Sequence, residues 1–360
     1  MISYFFNYIT LSFLGLIPNK FSLSLKRLFL FFLFMYILIF IALRDQVGGD
    51  WYAYLEYFDR FKNENLFKEI FKNDIGFDLL NWVINYLNGN IYVVNLISAI
   101  IFLVPLYIFI SKRDYFLLSM LISFPYLISV VSMGYVRQAA ALGFFIFGLN
   151  FLESRRVKFK TLFYIFFISL AFTFHKSAII LFFLVFFFRI RLLFKFLILL
   201  TSSLLLIYLL NDNFFGDVYI NYIETEMESK GALVRTIMNL IPAVGILAYY
   251  KYFKNDSLST IFLGISIVTI LSLLFVTHYS TFIDRISIYF IILQVYFWPK
   301  FISLNKKEMR LFIYIFVIIL YFITIVIWFV FSSHSEFWIP YKSILTHENN
   351  NYIEYIVERY

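Results

Sequence analysis

Residues 91–114 read IYVVNLISAIIFLVPLYIFISKRD, a long uncharged and mostly apolar run closed abruptly by Lys112, Arg113 and Asp114. A helix of about 20 such residues rises about 30 Å, the thickness of a bilayer's hydrocarbon core, and a basic pair at its end marks the return to water. Working outward, the same pattern recurs, with spans expected near 2–17, 27–43, 91–110, 115–133, 137–152, 161–174, 177–188, 195–210, 235–250, 258–276, 286–300 and 311–331. The expected fold is therefore all-α: a polytopic integral membrane helix bundle of about twelve transmembrane helices, one membrane domain over residues 1–360. Composition agrees, since 62% of residues are hydrophobic and only 14% charged, whereas a soluble domain carries about 25% charged residues. Lys20 is the first basic residue and follows the apolar run from Ile2, with no small-residue cleavage site after it. The run reads as a first span, not as a signal peptide.

Cysteine is absent, which excludes disulfides, thiol catalysis and Cys-ligated zinc. The net charge of +8 does not imply nucleic acid, because the bases sit in short connections between spans. The connections 18–27, 111–115, 153–160, 189–195, 250–257 and 300–310 hold 18 Lys and Arg against four acids, and by the positive-inside rule they are cytoplasmic. The remaining 12 bases, 18 acids and all four histidines fall on the other face. That face carries the long extracytoplasmic loops 44–90 and 211–234 and the tail 332–360, and connections of this length that are not linkers usually carry function. His175 and Lys176 split 161–188 into two runs too short to span comfortably, so a broken or re-entrant pair is expected there.

Five constellations mark the outer face. In Arg44 to Tyr54, Gly48-Gly49 breaks the backbone and Asp50 is placed to cap a helix carrying Tyr54. This reads either as an interfacial arginine with an aromatic belt or as an anion clamp beside a sugar-stacking surface. Over 76–88, Asp78, Asn81, Asn85 and Asn88 follow helical spacing opposite Phe77, Leu80, Ile84 and Leu87, the pattern of an amphipathic interfacial helix or of one lining a wet cavity. Arg137 opens an apolar helix from the outer side, against the charge bias, and needs a partner or must snorkel to the headgroups. His175 stands between two short spans, and no second ligand lies at metal-binding spacing, so no metal site is expected. Asp284 and Arg285, with Tyr289 one turn deeper, sit at the outer end of the eleventh span, where Asp284 could simply pair with Arg285. Outer arginines converging with a histidine would suit holding a diphosphate and moving a proton.

The order Arg44, Gly49-Asp50-Trp51, Tyr54, then Gly76-Phe77 with Leu80-Asn81, Arg137-Gln138-Ala139-Ala140-Ala141, Phe174-His175-Lys176-Ser177-Ala178, and Arg285 with Tyr289 resembles the EpsG-type polysaccharide polymerases, a branch of the Wzy O-antigen polymerases. The resemblance covers most of the chain. It departs at Gly48-Gly49-Asp50, where Gly-Thr-Asp is expected, and at Lys176, where variation is common. It implies a glycosyltransferase of the bacterial cytoplasmic (inner) membrane that acts at its periplasmic or outer face. The donor would be a glycan on undecaprenyl diphosphate, transferred to the next lipid-linked repeat unit, with O-antigen or a related surface polysaccharide of the lipopolysaccharide type as product.

On that reading Arg137 and Arg285 neutralise the departing diphosphate, His175 is the candidate base and Asp50 its alternative. Arg44, Asp50, Tyr54, Asn81, Asp284 and Tyr289 would bind substrate, with no cofactor. Partners are the lipid-linked donor and acceptor, membrane lipid and, as a candidate, a chain-length regulator protein. A flippase would place charges along the spans and an acyltransferase would keep its histidine on the cytoplasmic side. An O-antigen ligase differs only in its acceptor, and only the motif order separates it from a polymerase.

Overall fold

A computed structural model describes residues 1–16, 22–61, 74–187, 229 and 231–345. Among these the chain is helical without strands, and an isolated antiparallel bridge joins Arg44 to Ser343. In chain order the principal helices are α1 (Ile2–Leu16), α2 (Leu23–Ala42), α3 (Trp51–Arg60), α4 (Ile75–Tyr86), α5 (Ile91–Ser111), α6 (Phe116–Ser123), α7 (Val136–Glu153), α8 (Lys160–Phe174), α9 (Ala232–Ala248), α10 (Ser259–Ser272), α11 (Ser280–Phe290), α12 (Ile292–Leu304) and α13 (Lys307–Val326). Helix α6 runs on through a π-helical turn, Phe124–Val131, to Gly134.

Among the described residues, four stretches are long and apolar enough to cross a membrane: Ser24–Ala42, Ile91–Ser111, Phe116–Gly134 and Lys307–Phe331. A fifth is reached if α11 and α12, bent by 45° at their junction, form one span. Helices α1, α8, α9 and α10 are apolar but shorter, and α7 carries Arg137, Gln138 and Glu153 at its ends. The expected span at 195–210 and most of loop 211–234 lie outside the described residues, as does the tail beyond residue 345. The expected break at His175 is present: α8 stops at Phe174, His175 is extended (φ −158°, ψ 121°), and short 3-10 and α turns continue to Phe187.

Charge sorts to opposite ends of the bundle. Where α2 begins and α5 ends, Lys26 donates to the Ser111 carbonyl at 3.0 Å, and both Lys112 and Arg113 pair with Glu153 at the end of α7. Lys300 pairs with Asp256 at 3.3 Å, and Tyr296 donates to the same carboxylate. Arg44 lies beside Asn95 in the first turns of α5, so the 21 residues of that helix, about 30 Å, separate the two ends. Between them a polar ladder clamps α9 to its neighbours. Thr236 shares a hydrogen bond with Ser287 (3.2 Å), Asn239 donates to the Ser287 carbonyl (2.9 Å), and Gln294 donates to Asn239 (2.7 Å). Buried polar pairs of this kind hold helices together where apolar surface gives no preference over lipid.

Helix α4 forms over the stretch expected to be interfacial, but its polar side faces protein. Asp78 and Asn81 are fully buried; Tyr57 donates to Asp78, Asn81 donates to the Phe77 carbonyl and Asn85 to that of Phe58. Leu79, Val83 and Leu87 are exposed instead. Phe77 and Ile84, expected on the opposite face, are buried together with Asp78 and Asn81; α3 supplies the polar partners that draw Asp78 and Asn85 inward.

The turn before α3 rests on one glycine. Gly48 has φ +113°, its N–H donates to the Phe337 carbonyl at 2.8 Å, and a Cβ there would lie 2.5 Å from the Met133 carbonyl oxygen. A Cβ on Gly49 would meet only ordinary contacts, at 3.8 Å from Trp338. Trp338 is itself anchored, donating to the Ser129 carbonyl inside the π turn at 2.9 Å. We expect Gly48→Ala to lower stability by about 1–3 kcal/mol, the range for a strained backbone, whereas Gly49→Ala stays within about 0.5 kcal/mol. Thermal unfolding of the detergent-purified variants checks both, and equal effects at the two positions would remove the distinction.

Candidate active site

Three chain breaks build the site. The Gly48 turn delivers Asp50 to the start of α3, the gap at Tyr135 starts α7 at Val136, and the end of α8 leaves His175 extended. Helix α4 closes against the last of these through Gly76, where a Cβ would lie 2.5 Å from Thr173 Oγ1 and 2.7 Å from the Phe174 ring. That approach brings Asp74, the residue preceding α4, to α7 and α8 together. One Asp74 oxygen accepts from Arg137 Nη1 at 2.8 Å, and the other accepts from the Lys176 backbone N–H at 3.2 Å. Asp74 is buried while the Arg137 side chain is about one-third exposed, so the guanidinium is anchored on one edge and open on another. Its carbon lies 5.9 Å from the ring centres of Tyr54 and Tyr57, and Tyr54 also shares a hydrogen bond with it.

Arg285 enters from α11, and its Nη1 lies 3.2 Å from His175 Nε2. Guanidinium can only donate, so Nε2 is the accepting nitrogen and the ring proton falls on Nδ1, 2.6 Å from Ser177 Oγ. The Ser177 N–H also points at Nδ1, at 3.3 Å, a donor that only the opposite tautomer would accept; the guanidinium at Nε2 selects against that tautomer. Ser177 Oγ lies 3.1 Å from the buried Tyr289 hydroxyl, and Gln138 fixes α11 by donating to the Arg285 carbonyl at 2.7 Å. Burial holds the His175 imidazole well below its usual pKa range, and Arg285, Arg137 and Lys176 press it the same way. Burial also raises the carboxyls of Asp50 and Asp74; Arg137 and Arg285 pull Asp50 back down, and Arg137 and Lys176 do so for Asp74. Asp50 nonetheless remains an exposed residue within electrostatic reach of both arginines.

Of the residues expected from the sequence, Arg137, Arg285, His175, Asp50, Tyr54 and Tyr289 come together here. Arg44 does not open onto this cluster. It is 1% exposed, donates to the Ile41 carbonyl and to Asn95, and lies over the Trp51 ring, so it is no surface anion clamp. Asn81 is enclosed within α4. Asp284 pairs with Arg235 of α9 and not with its neighbour Arg285. Asp74 and Arg235 escaped the sequence reading. Arg235 offered the same signal as Arg137, a base near the outer start of an apolar helix, and Asp74 the signal of an acid just ahead of one. Among the described residues no three potential metal ligands converge.

Residues 3–343 match the EpsG family. Neither a curated protein nor a solved structure matches the chain.

Asp74→Ala strips Arg137 of its carboxylate and leaves the Lys176 N–H without an acceptor. We expect a loss of about 1–3 kcal/mol, the range for leaving a buried hydrogen-bonding group unsatisfied, read as an earlier thermal unfolding. Unfolding at the wild-type temperature would mean that Asp74 does not join α4, α7 and α8.

Proposed function

The chain belongs to the EpsG family, and from that premise we propose that it polymerises undecaprenyl-diphosphate-linked oligosaccharide repeat units at the outer face of the bacterial cytoplasmic membrane, as a Wzy-type polymerase of O-antigen or a related surface polysaccharide. The observation that carries this reading is the gathering of Arg137 and Arg285 about His175 and Asp74 at the end of the bundle opposite the basic connections. Under the positive-inside rule that end is extracytoplasmic, where lipid-linked repeat units are joined and no nucleotide sugar is needed.

In the transfer, an acceptor hydroxyl oxygen bonds to the donor's anomeric carbon as the bond from that carbon to the diphosphate oxygen breaks. The electron pair leaves on the diphosphate, and the acceptor proton passes to a base. Arg137 and Arg285 are suited to the first demand, since a guanidinium fork grips two phosphate oxygens and offsets charge that grows as the bond breaks. For the second, the geometry favours Asp50 over His175. The His175 Nε2 lone pair accepts from Arg285 and the surrounding cations disfavour imidazolium, whereas Asp50 is an exposed carboxylate within electrostatic reach of both arginines. His175 then acts as a positioning residue, with Ser177 and Tyr289 fixing its ring and its ring fixing Arg285.

A strain deleted for this chain should carry single repeat units on its lipid core, where loss of a flippase or a ligase would leave none. We expect Arg137→Ala and Arg285→Ala to fail to restore polymer from wild-type protein levels. Lys at either position should restore little, because it keeps the charge but not the fork. Near-normal polymer in the Lys variants would show that charge alone suffices.

The rate of the purified enzyme should show no inflection near pH 6.5, the ordinary imidazole value, because His175 stays neutral well below it. As pH falls, activity should decline through a carboxyl range above the usual Asp value of about 3.9, as Asp50 takes up its proton. A fall centred on 6.5 that disappears in His175→Gln would return the base role to His175.

A further inference from the structure

Beside the arginine cluster lies a chamber of about 450 Å³ between α9, α11 and the end of α13, within the range of roughly 300–1,000 Å³ found for small-molecule sites. Its deep wall is polar and aromatic. Arg235 pairs there with Asp284, and its guanidinium carbon lies 5.3 Å from the centre of the Tyr126 ring. Tyr126, 4% exposed and on the π turn of α6, has a hydroxyl with no hydrogen-bond partner among the described residues. A buried hydroxyl in that state is costly unless something in the chamber satisfies it. The outer rim is different: Val234, Ile327 and Phe331 line the chamber and are exposed on helices that face the surroundings of the bundle.

The chamber adjoins the cluster. Asp284 and Arg285 are consecutive on α11, one directed to Arg235 and the other to His175. Tyr135, which lines the chamber, lies within electrostatic reach of Arg235 and Asp284 and also of Asp50 and Arg285. The Arg235–Asp284 pair cancels its own charge, so the wall is not built for a diphosphate. An aromatic wall, an ion pair offering both donors and acceptors, and an unsatisfied hydroxyl are what a neutral sugar ring needs.

We infer that this chamber is the saccharide subsite of the lipid-linked repeat unit, with Tyr126, Arg235 and Asp284 as specificity-determining residues and the rim at Val234, Ile327 and Phe331 as the side from which the lipid-borne glycan arrives. The inference rests on the polymerase reading and divides the substrate: sugar in the chamber, diphosphate on Arg137 and Arg285.

The test compares two probes on the full-length protein in nanodiscs: undecaprenyl diphosphate alone, and the lipid-linked repeat unit isolated from the deletion strain. Tyr126→Phe removes only the hydroxyl, and Met238→Trp fills the chamber from its lining. Both variants should weaken binding of the repeat unit, about 5-fold and at least 10-fold respectively, and leave the affinity for undecaprenyl diphosphate unchanged. Unaltered repeat-unit binding in both variants, or equal weakening of both probes, overturns the subsite. Failure of the wild-type protein to distinguish the repeat unit from undecaprenyl diphosphate overturns the polymerase reading as well.

Discussion

The carboxylate of Asp74 fixes the point at which three helices meet: α7 and α8 already pack through Phe147, Phe151 and Phe167, and Gly76 lets α4 approach α8, but Asp74 sets their register. It ties the start of α4 to Arg137 at the head of α7 and to the Lys176 backbone just past α8. An ion pair inside a protein repays its desolvation only when geometry and further hydrogen bonds are good. Here the second oxygen finds a backbone donor, and the glycine at position 76 lets the helices come close enough for both contacts. The rest of the cluster follows, because the same break that offers the Lys176 N–H also turns His175 toward Arg285.

Two adjacent residues on α11 then divide this end of the bundle. Arg285 faces His175, while Asp284 faces Arg235 and pairs with it. The ladder from Thr236 through Ser287 and Asn239 to Gln294 lies below them and fixes α9 against α11 and α12. The chamber and the arginine cluster therefore meet along α11, whose register is set by buried hydrogen bonds. A transferase acting on a charged leaving group and a neutral sugar has use for such a division.

Much of this was legible in the sequence, and the part that was not has a common cause. Segregation of 18 bases onto one set of connections showed the two ends of the bundle, and outer bases such as Arg137 and Arg285 stood out against that bias. Partner choice was not legible. Arg44 and Arg137 look alike as outer arginines, yet one is enclosed by the Ile41 carbonyl and Asn95 and the other is left partly open. Asp284 seemed to have its partner next door, but consecutive residues on a helix point about 100° apart, which leaves Asp284 to Arg235. Likewise the polar stripe of α4 was evident from its spacing, while the hydroxyl of Tyr57 that draws it inward comes from another helix. Of the glycine pair at 48–49, only the backbone angle shows that the first is required and the second replaceable, which accounts for a Thr fitting the second position in the pattern this chain resembles.

The central claim is that Arg137 and Arg285 together grip a lipid diphosphate. The most direct measurement is an electron cryomicroscopy map of the full-length protein in nanodiscs with undecaprenyl diphosphate added. The account expects diphosphate density bridging the two guanidinium groups beside Asp50, with Arg44 still enclosed. Density held elsewhere, on Arg44 or in the Arg235–Asp284 chamber, would contradict it.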